Sequence, residues 1–358
     1  MNAAATAIAV PDAPATTAGP LPLGHLIALT GPYGVYEHAL CETPRLEHGH
    51  CTDDVARVLA VVVREPSRRA SPGTVELHHL IELSLSFLES AVAPDGTVRN
   101  RRAADGTWTD PPSIGDWWGR AVLGLGAAIR HSRDPGIRAR ALRVFLRAAQ
   151  QGSPDVRASA FAAIGAADAL LAFPKLTAAR MLLADGLRRV PRPEGADRGW
   201  PEQRLRYANG ALCEALIAGG QALQRSDAID TGLEMLDTLL RLETRPSGML
   251  SFAGPGGRDR SDPERAGDQQ PIEPATIADA CLRAASVTRD ERWHHESLRI
   301  WAWFTGENDA GIAMFDPLTG AGYDGLTPTG RNENRGAEST LAALSAFQCA
   351  RSARAGLR

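Results

Sequence analysis

Five short stretches of the chain gather side chains able to do acid–base and hydrogen-bonding chemistry. They are His48-Gly-His-Cys-Thr-Asp-Asp-Val-Ala-Arg57, Ser113-Ile-Gly-Asp-Trp-Trp-Gly-Arg120, Trp200-Pro-Glu-Gln-Arg-Leu-Arg-Tyr-Ala-Asn209, Asp268-Gln-Gln-Pro-Ile-Glu273 and Asn332-Glu-Asn-Arg-Gly-Ala-Glu-Ser339. Carboxyls that face each other across a glycosidic bond can cleave it, one as acid and the other as base or nucleophile. Aromatic rings pack against the C–H faces of sugars, and Asn, Gln and Arg bond their hydroxyls. On these grounds Asp54, Asp116, Glu202, Asp268, Glu273 and Glu338 are the acid/base candidates. Trp117, Trp118, Trp200 and Tyr323 are the expected sugar platform. His38, His50, Asp53, Arg57, Asn209, Gln269, Gln270, Asn308, Asp309, Asp324 and Asn334 are the expected hydroxyl ligands.

Acids in a first helical turn also cap it and complement its dipole, so each has an ordinary structural explanation as well. Thr52-Asp-Asp reads as such a start, and so does Pro271 with Glu273. Trp117-Trp118, Gln269-Gln270-Pro271 and Asn332-Glu-Asn334 are not needed for capping. Other chemistries find little support. His48-x-His50 with Asp53 is a weak metal set, and the loops carrying Asp309, Asp316 and Asp324 lack EF-hand spacing. No metal, nucleotide or other cofactor is expected. Cys51 stands beside two aspartates that would raise its pKa, which argues against a thiolate nucleophile.

These residues need elements to hold them. Apolar periodicity predicts helices over roughly 53–65, 74–93, 115–132, 134–152, 155–172, 174–190, 204–223, 226–242, 273–288, 291–304 and 337–353. Strand signals are almost absent, apart from a short extended piece near Met249–Phe252. Short connections alternate with long ones, roughly 94–114, 191–203, 243–272 and 305–336. With Leu21–Leu40 supplying a twelfth element, six αα-hairpins emerge. The expected fold is all-α, an (α/α)6 toroid or six-hairpin barrel over 21–358, with its long loops at one mouth. Unequal repeat lengths disfavour an open solenoid. Inner helices of a toroid are parallel, so the five polar stretches would meet at that mouth.

Composition sets the outer bounds. The chain has 358 residues, net charge −3, 44% hydrophobic and 23% charged residues. Nothing here favours nucleic acid or an anionic membrane as partner, and no apolar run reaches the ~18 residues of a membrane span. Residues 1–20, rich in Ala, Thr and Pro, read as a disordered lead-in. Five scattered cysteines without a CxxC suit a reduced, cytoplasmic protein, although the Ala-rich start leaves export open.

The motifs Gly34-Val-Tyr-Glu-His-Ala39, Gly49-His-Cys-Thr-Asp-Asp-Val-Ala-Arg57, Gly119-Arg-Ala-Val-Leu-Gly-Leu-Gly126, Asp268-Gln-Gln-Pro-Ile-Glu273, Tyr323-Asp-Gly-Leu326 and Gly336-Ala-Glu-Ser-Thr340 carry a resemblance. Together they resemble a bacterial (α/α)6-toroid family encoded near glycosyltransferases and mannoside phosphorylases and often labelled glycosyltransferase. The resemblance implies the toroid, carbohydrate chemistry by association, and a functional link to a glycosyltransferase. Members carry Trp-Phe-Glu ahead of the seventh helix. Trp200-Pro-Glu202 keeps the acid and alters the backbone before it. The chain shows no nucleotide-sugar-binding unit. The leading expectation is a glycoside hydrolase or related glycan-cleaving enzyme acting on an oligosaccharide. Two alternatives stand beside it: a sugar epimerase or isomerase drawing its base from His38, His48 or His50, and a non-catalytic glycan-binding partner.

Overall fold

The computed structural model describes residues 17, 19–66, 73–193, 199–259 and 267–358. Most of the expected N-terminal lead-in lies outside the described residues. Among those described, twelve α-helices follow one another: α1 (Gly24–Ala28), α2 (Thr52–Val62), α3 (Thr74–Ala91), α4 (Asp116–His131), α5 (Pro135–Ala148), α6 (Val156–Ala172), α7 (Thr177–Arg189), α8 (Asn209–Leu223), α9 (Ser226–Leu242), α10 (Ile272–Thr288), α11 (Arg292–Phe304) and α12 (Ala337–Gly356). None is long and apolar enough to cross a membrane.

The burial pattern along each helix decides its place. In α9 the buried positions Ala228, Gly232, Met235, Leu236, Leu239 and Leu240 form one stripe, as a helix with a wet face requires. In α6 an almost unbroken run from Ala158 to Leu170 is buried, so that helix is covered on all sides. The even-numbered helices form the inner ring. α2 packs on α4, α4 on α6, α6 on α8, α8 on α10, α10 on α12, and α12 returns to α2. Outside them, α3, α5, α7, α9 and α11 each pack on the inner helix they follow, and α1 closes the sixth pair by packing on α12. The seam between the chain's ends is bonded directly. His25 donates its backbone N–H to the Thr319 carbonyl at 2.7 Å, and Arg351 makes two bonds to Glu65 at 2.9 and 2.5 Å.

Small residues let the inner helices approach. A Cβ on Gly126 would overlap the Gly165 carbonyl, and one on Gly165 would overlap that of Val122. Gly126→Ala is therefore expected to cost ~1–3 kcal/mol. Gly256→Ala, with open space around it, should stay within about 0.5 kcal/mol. Urea unfolding of the two variants checks this.

Among the described residues, strands are confined to five two-stranded antiparallel ribbons in the loops. The extended piece expected near Met249–Phe252 makes a single bridge, Leu250 to Thr244. Arg204–Leu205 pairs with Arg258–Asp259, so α8 starts at Asn209 rather than near 204.

Candidate functional site

The N-terminal ends of the inner helices meet, and their side chains interlock. Arg57 of α2 donates through Nη1 to Asp54 Oδ1 at 2.6 Å, and through Nη2 to the Tyr207 hydroxyl and Glu338 Oε2, both at 2.6 Å. Arg120 of α4 donates through Nη2 to the same hydroxyl at 2.8 Å, with its guanidinium carbon 3.5 Å from the centre of the Phe161 ring. Side chains from α2, α4 and α12 and from the segment before α8 therefore share one cluster.

Two carboxylates beside it are unclaimed. Asp53 and Asp116 are half-buried and make no hydrogen bond or ion pair among the described residues. Burial raises the Asp53 carboxyl, Arg57 and Arg120 pull it back, and Asp116 and Glu338 push it up again. Burial also raises Asp116, with Arg120 opposing, Asp155 adding to the rise, and Arg157 and Arg57 lowering it. Half-buried carboxyls with raised pKa values and free oxygens are suited to proton transfer.

The remaining acid candidates are occupied or exposed. Asp54 is 2% exposed and pushed by burial to about 6 against the pull of Arg57. The Cys51 thiol donates to its Oδ2 at 3.1 Å. Burial, then Asp54 and Asp53, raise the thiol's own pKa far above its ordinary value, which removes it as a nucleophile. Glu202 is paired twice with Arg157, at 3.0 and 2.7 Å. Glu273 is buried and pushed by burial to about 7, while it accepts from Ala208 N–H at 2.5 Å, Asn209 N–H at 3.2 Å and Asn209 Nδ2 at 2.9 Å. Ala208 has φ of 50°, a left-handed conformation that a residue with a Cβ rarely adopts. Glu273 thus holds the strained turn that aims Tyr207 inward. Glu338 reaches the cluster as the partner of Arg57, and Asp268 is exposed.

Of the expected platform, only Trp117 is half-buried at the mouth, with Nε1 donating to the Val98 carbonyl at 2.7 Å. Trp118 and Trp200 are 1% exposed, because their large apolar area serves the core. Tyr323 is buried too, its ring capped by Arg331 at 3.5 Å and by Arg335 at 4.8 Å. Those three offer no open ring face. Trp117→Ala is expected to lose the Val98 bond and part of its packing on the core, a smaller cost than at a fully buried ring. Trp118→Ala should instead cost ~3–5 kcal/mol, readable in denaturant melts.

Several expected hydroxyl ligands are fully engaged in shaping loops. Asn308 Nδ2 bonds the Trp303 and Ile312 carbonyls, both at 2.8 Å. Asp309 accepts from Ser251 and Gln269 and is ion-paired with Arg245, and Gln269 accepts in turn from Phe252 N–H and Trp303 Nε1. Gln270 is half-buried and its carbonyl accepts Glu273 N–H at 3.1 Å. Asp324 accepts Gly336 N–H, Asn334 accepts Cys41 N–H, and Asn209 is locked to Glu273. His50 is fully buried, stacked on Tyr36, with Nδ1 on the Val35 carbonyl at 3.0 Å. His38 and His48 meet edge to face in the exposed rim. Among the described residues, the one set of three metal-ligating atoms lying together is Glu37, Cys51 and Asp54, and both of its acids already face an arginine.

The sequence reading held Tyr207 and Arg120 within its polar stretches without giving either a role, and it missed Arg157. A signal was present: Asp53-x-x-x-Arg57 at the start of α2 repeats as Asp116-x-x-x-Arg120 at the start of α4.

A scan against protein-family models gives no match, and a search of curated proteins gives none. Solved structures do match. A sugar epimerase from a ruminal bacterium is 12% identical, with TM-score 0.70 over 96% of this chain and 98% of that one. An α-mannanase of Bacteroides thetaiotaomicron is 11% identical, with TM-score 0.59 over 86% and 87%. An α-1,6-mannanase of Salegentibacter, solved as an inactive variant with two consecutive aspartates replaced by alanine, is 10% identical, with TM-score 0.61 over 92% and 96%. The fold is an (α/α)6 toroid.

Below the toroid's mouth lies a cavity of about 110 Å³ walled by Ala60, Leu123, Phe161, Ile164 and Leu341. A second charged layer, from the turn after α2 and from the middle and later turns of inner helices, closes its far side. Arg64 donates to Asp279 at 2.8 Å and to Ser345 at 2.9 Å, Arg130 to Asp168 at 2.5 Å, and Arg283 to Asp168 at 3.0 Å and Glu214 at 3.3 Å. Three arginines balance three acids. His131, in the same layer, is driven by burial down to about 4 and stays neutral. The toroid therefore has a mouth with two unpaired carboxylates above a floor of mutually paired charges.

Proposed function

We propose that this chain is a glycan-cleaving enzyme of the glycoside hydrolase type, with Asp53 and Asp116 as its acid/base pair. The observation that carries the reading is that, among the described residues, these two carboxylates alone combine half-burial at the mouth, raised pKa values and oxygens free of protein partners. In this reading Asp53 is the acid: burial raises its carboxyl and, against Arg57 and Arg120, two neighbouring acids, Asp116 and Glu338, favour its proton. Asp116 is the base: burial raises it too, but against one neighbouring acid, Asp155, three arginines, Arg120, Arg157 and Arg57, favour its ionised form. A sugar ring on Trp117 would meet guanidinium donors from Arg57 and Arg120. The mouth's excess of carboxylates stabilises the positive charge that develops at the anomeric carbon. Consecutive acids at Asp53 and Asp54 also echo the consecutive aspartates replaced in the inactive mannanase variant.

A sugar epimerase or isomerase is the second reading, supported by the 0.70 TM-score and near-equal chain length of the ruminal epimerase. It would need a base beside C2, and no histidine joins the Tyr207 cluster among the described residues, so a carboxylate would have to serve. A panel of α- and β-linked manno- and gluco-oligosaccharides separates the readings. New reducing ends support hydrolysis. A changed sugar at constant chain length supports epimerisation, and binding without either supports a glycan-binding module. The anomer first released, read by proton NMR, then reports inversion or retention.

A further inference from the structure

Two cations of the mouth converge on one neutral atom, the Tyr207 hydroxyl, which accepts from Arg57 at 2.6 Å and from Arg120 at 2.8 Å. The two arginines are otherwise held very differently. Arg57 is anchored by Asp54 and Glu338. Arg120 is 5% exposed, its Nε has no partner, and no carboxylate lies within ion-pairing distance of it among the described residues. Its attachments are the Tyr207 hydroxyl and the face of Phe161.

That isolation is unusual for its surroundings. Asp116 stands one turn before Arg120 on the same helix face, the spacing at which an acid and a base normally pair. Asp53 is close enough for the Arg120 charge to lower its pKa. Buried arginines ordinarily pair with a carboxylate, and this one has two within its field and contacts neither.

Tyr207 is braced to hold it there. Its carbonyl accepts from Arg157 Nε at 2.6 Å, and the next residue, Ala208, is fixed in its left-handed turn by Glu273. The hydroxyl also lies 3.4 Å from Glu338 Oε2, an acceptor for its proton.

We propose that Tyr207 is a positioning residue whose hydroxyl holds Arg120 away from Asp53 and Asp116, leaving both carboxylates unpaired and open to a glycan. Their use in catalysis rests on the hydrolase reading; the geometry does not. Without the hydroxyl, Arg120 loses its one hydrogen bond and turns to the nearest carboxylate. That acid then gains a contact cation, which lowers its pKa by ~1 unit or more. The charged groups that face this cluster are Asp53, Asp54 and Arg57 from α2, Asp116 and Arg120 from α4, Asp155 and Arg157 at the start of α6, Glu273 from α10 and Glu338 from α12.

The test is a carboxyl titration by NMR on protein labelled with 13C at the aspartate side chain, with Asp53→Asn and Asp116→Asn assigning the two signals. It needs no substrate, so it stands even if no glycan is cleaved. Tyr207→Phe should lower the titration of Asp53, Asp116 or both by ~1 unit. In an Arg120→Gln background the same change should leave them unmoved. If a substrate is in hand, kcat should fall ~10- to 100-fold with KM changed less, and the alkaline limb of the pH profile should move down. Unchanged or raised titrations in folded Tyr207→Phe protein would overturn the proposal, leaving Tyr207 as a cross-brace. Should Tyr207→Phe not fold, Tyr207→Gln, with an accepting oxygen on a shorter arm, is read in the same titration. A downward shift there supports the proposal and no shift overturns it.

Discussion

Asp53→Asn and Asp116→Asn should each reduce turnover by ~10²- to 10⁴-fold while leaving the fold intact. The structural half of that expectation follows from what the two side chains lack. Neither bonds to any other group among the described residues, so an amide leaves no protein partner unsatisfied. Burial raises both carboxyls, so neutralising either one also removes charge that the site disfavours. Melting temperature should hold or rise slightly. Glu202→Gln and Glu273→Gln make the contrast. The first breaks the double bond to Arg157, and the second turns an amide N–H toward a backbone N–H that needs an acceptor. Both should lose ~1–3 kcal/mol of stability. Wild-type activity should follow a bell in pH. It falls on the acid side as Asp116 takes a proton and on the alkaline side as Asp53 loses its own. Because both pKa values lie above the ordinary aspartate value, the bell should sit above the range of a pair of solvated aspartates. If both amide variants keep near-normal turnover on a true substrate, the assignment fails, and Glu338 becomes the carboxylate to examine.

The ring was legible in the sequence because helical periodicity is a local signal. α3, expected over roughly 74–93, runs Thr74–Ala91, and α9, expected over 226–242, runs Ser226–Leu242. The misplaced start of α8 had a non-local cause: a ribbon partner more than fifty residues away at Arg258–Asp259, and the left-handed Ala208 that only Glu273 makes tolerable. The same distinction governed the site. Residue type placed acids at the mouth but could not tell which acids the protein had already used. Glu202 and Glu273 are as acidic in sequence as Asp116, and only the partners supplied by α6 and by the turn before α8 remove them. Trp118 follows Trp117 directly, yet α4 turns by about 100° per residue, so one ring stays at the mouth while the other enters the core. Asp53 looked like a capping acid because it opens a helix, and that same position leaves it unpaired beside Arg57 and Arg120.

Asp168→Ala should cost ~3–5 kcal/mol of stability, because it strands Arg130 and leaves Arg283 with Glu214 alone at the floor of the toroid. Burial would push the Asp168 carboxyl up, but Arg283, Arg130 and His131 together hold it below the ordinary aspartate value. The sign of the pH dependence follows. A carboxyl depressed in the folded state contributes stability that is fully present above its unfolded pKa and is lost as pH falls through the folded one. The wild type should therefore lose this contribution below about pH 3.8, while the variant, already without it, should show a flatter acid limb in urea unfolding at successive pH values. Glu214, raised by burial, acts in the opposite sense: its contribution declines as pH rises above the ordinary glutamate value, so the floor is most stable in mildly acid solution. Turnover per folded molecule should survive Asp168→Ala, since Arg57 and Arg120 are bonded to Tyr207 and neither they nor the two free carboxylates bond to the floor among the described residues. A variant that melts early yet turns over normally at low temperature would show that the toroid separates its two charged layers by task. Loss of turnover at full stability would instead bring the floor into the active site.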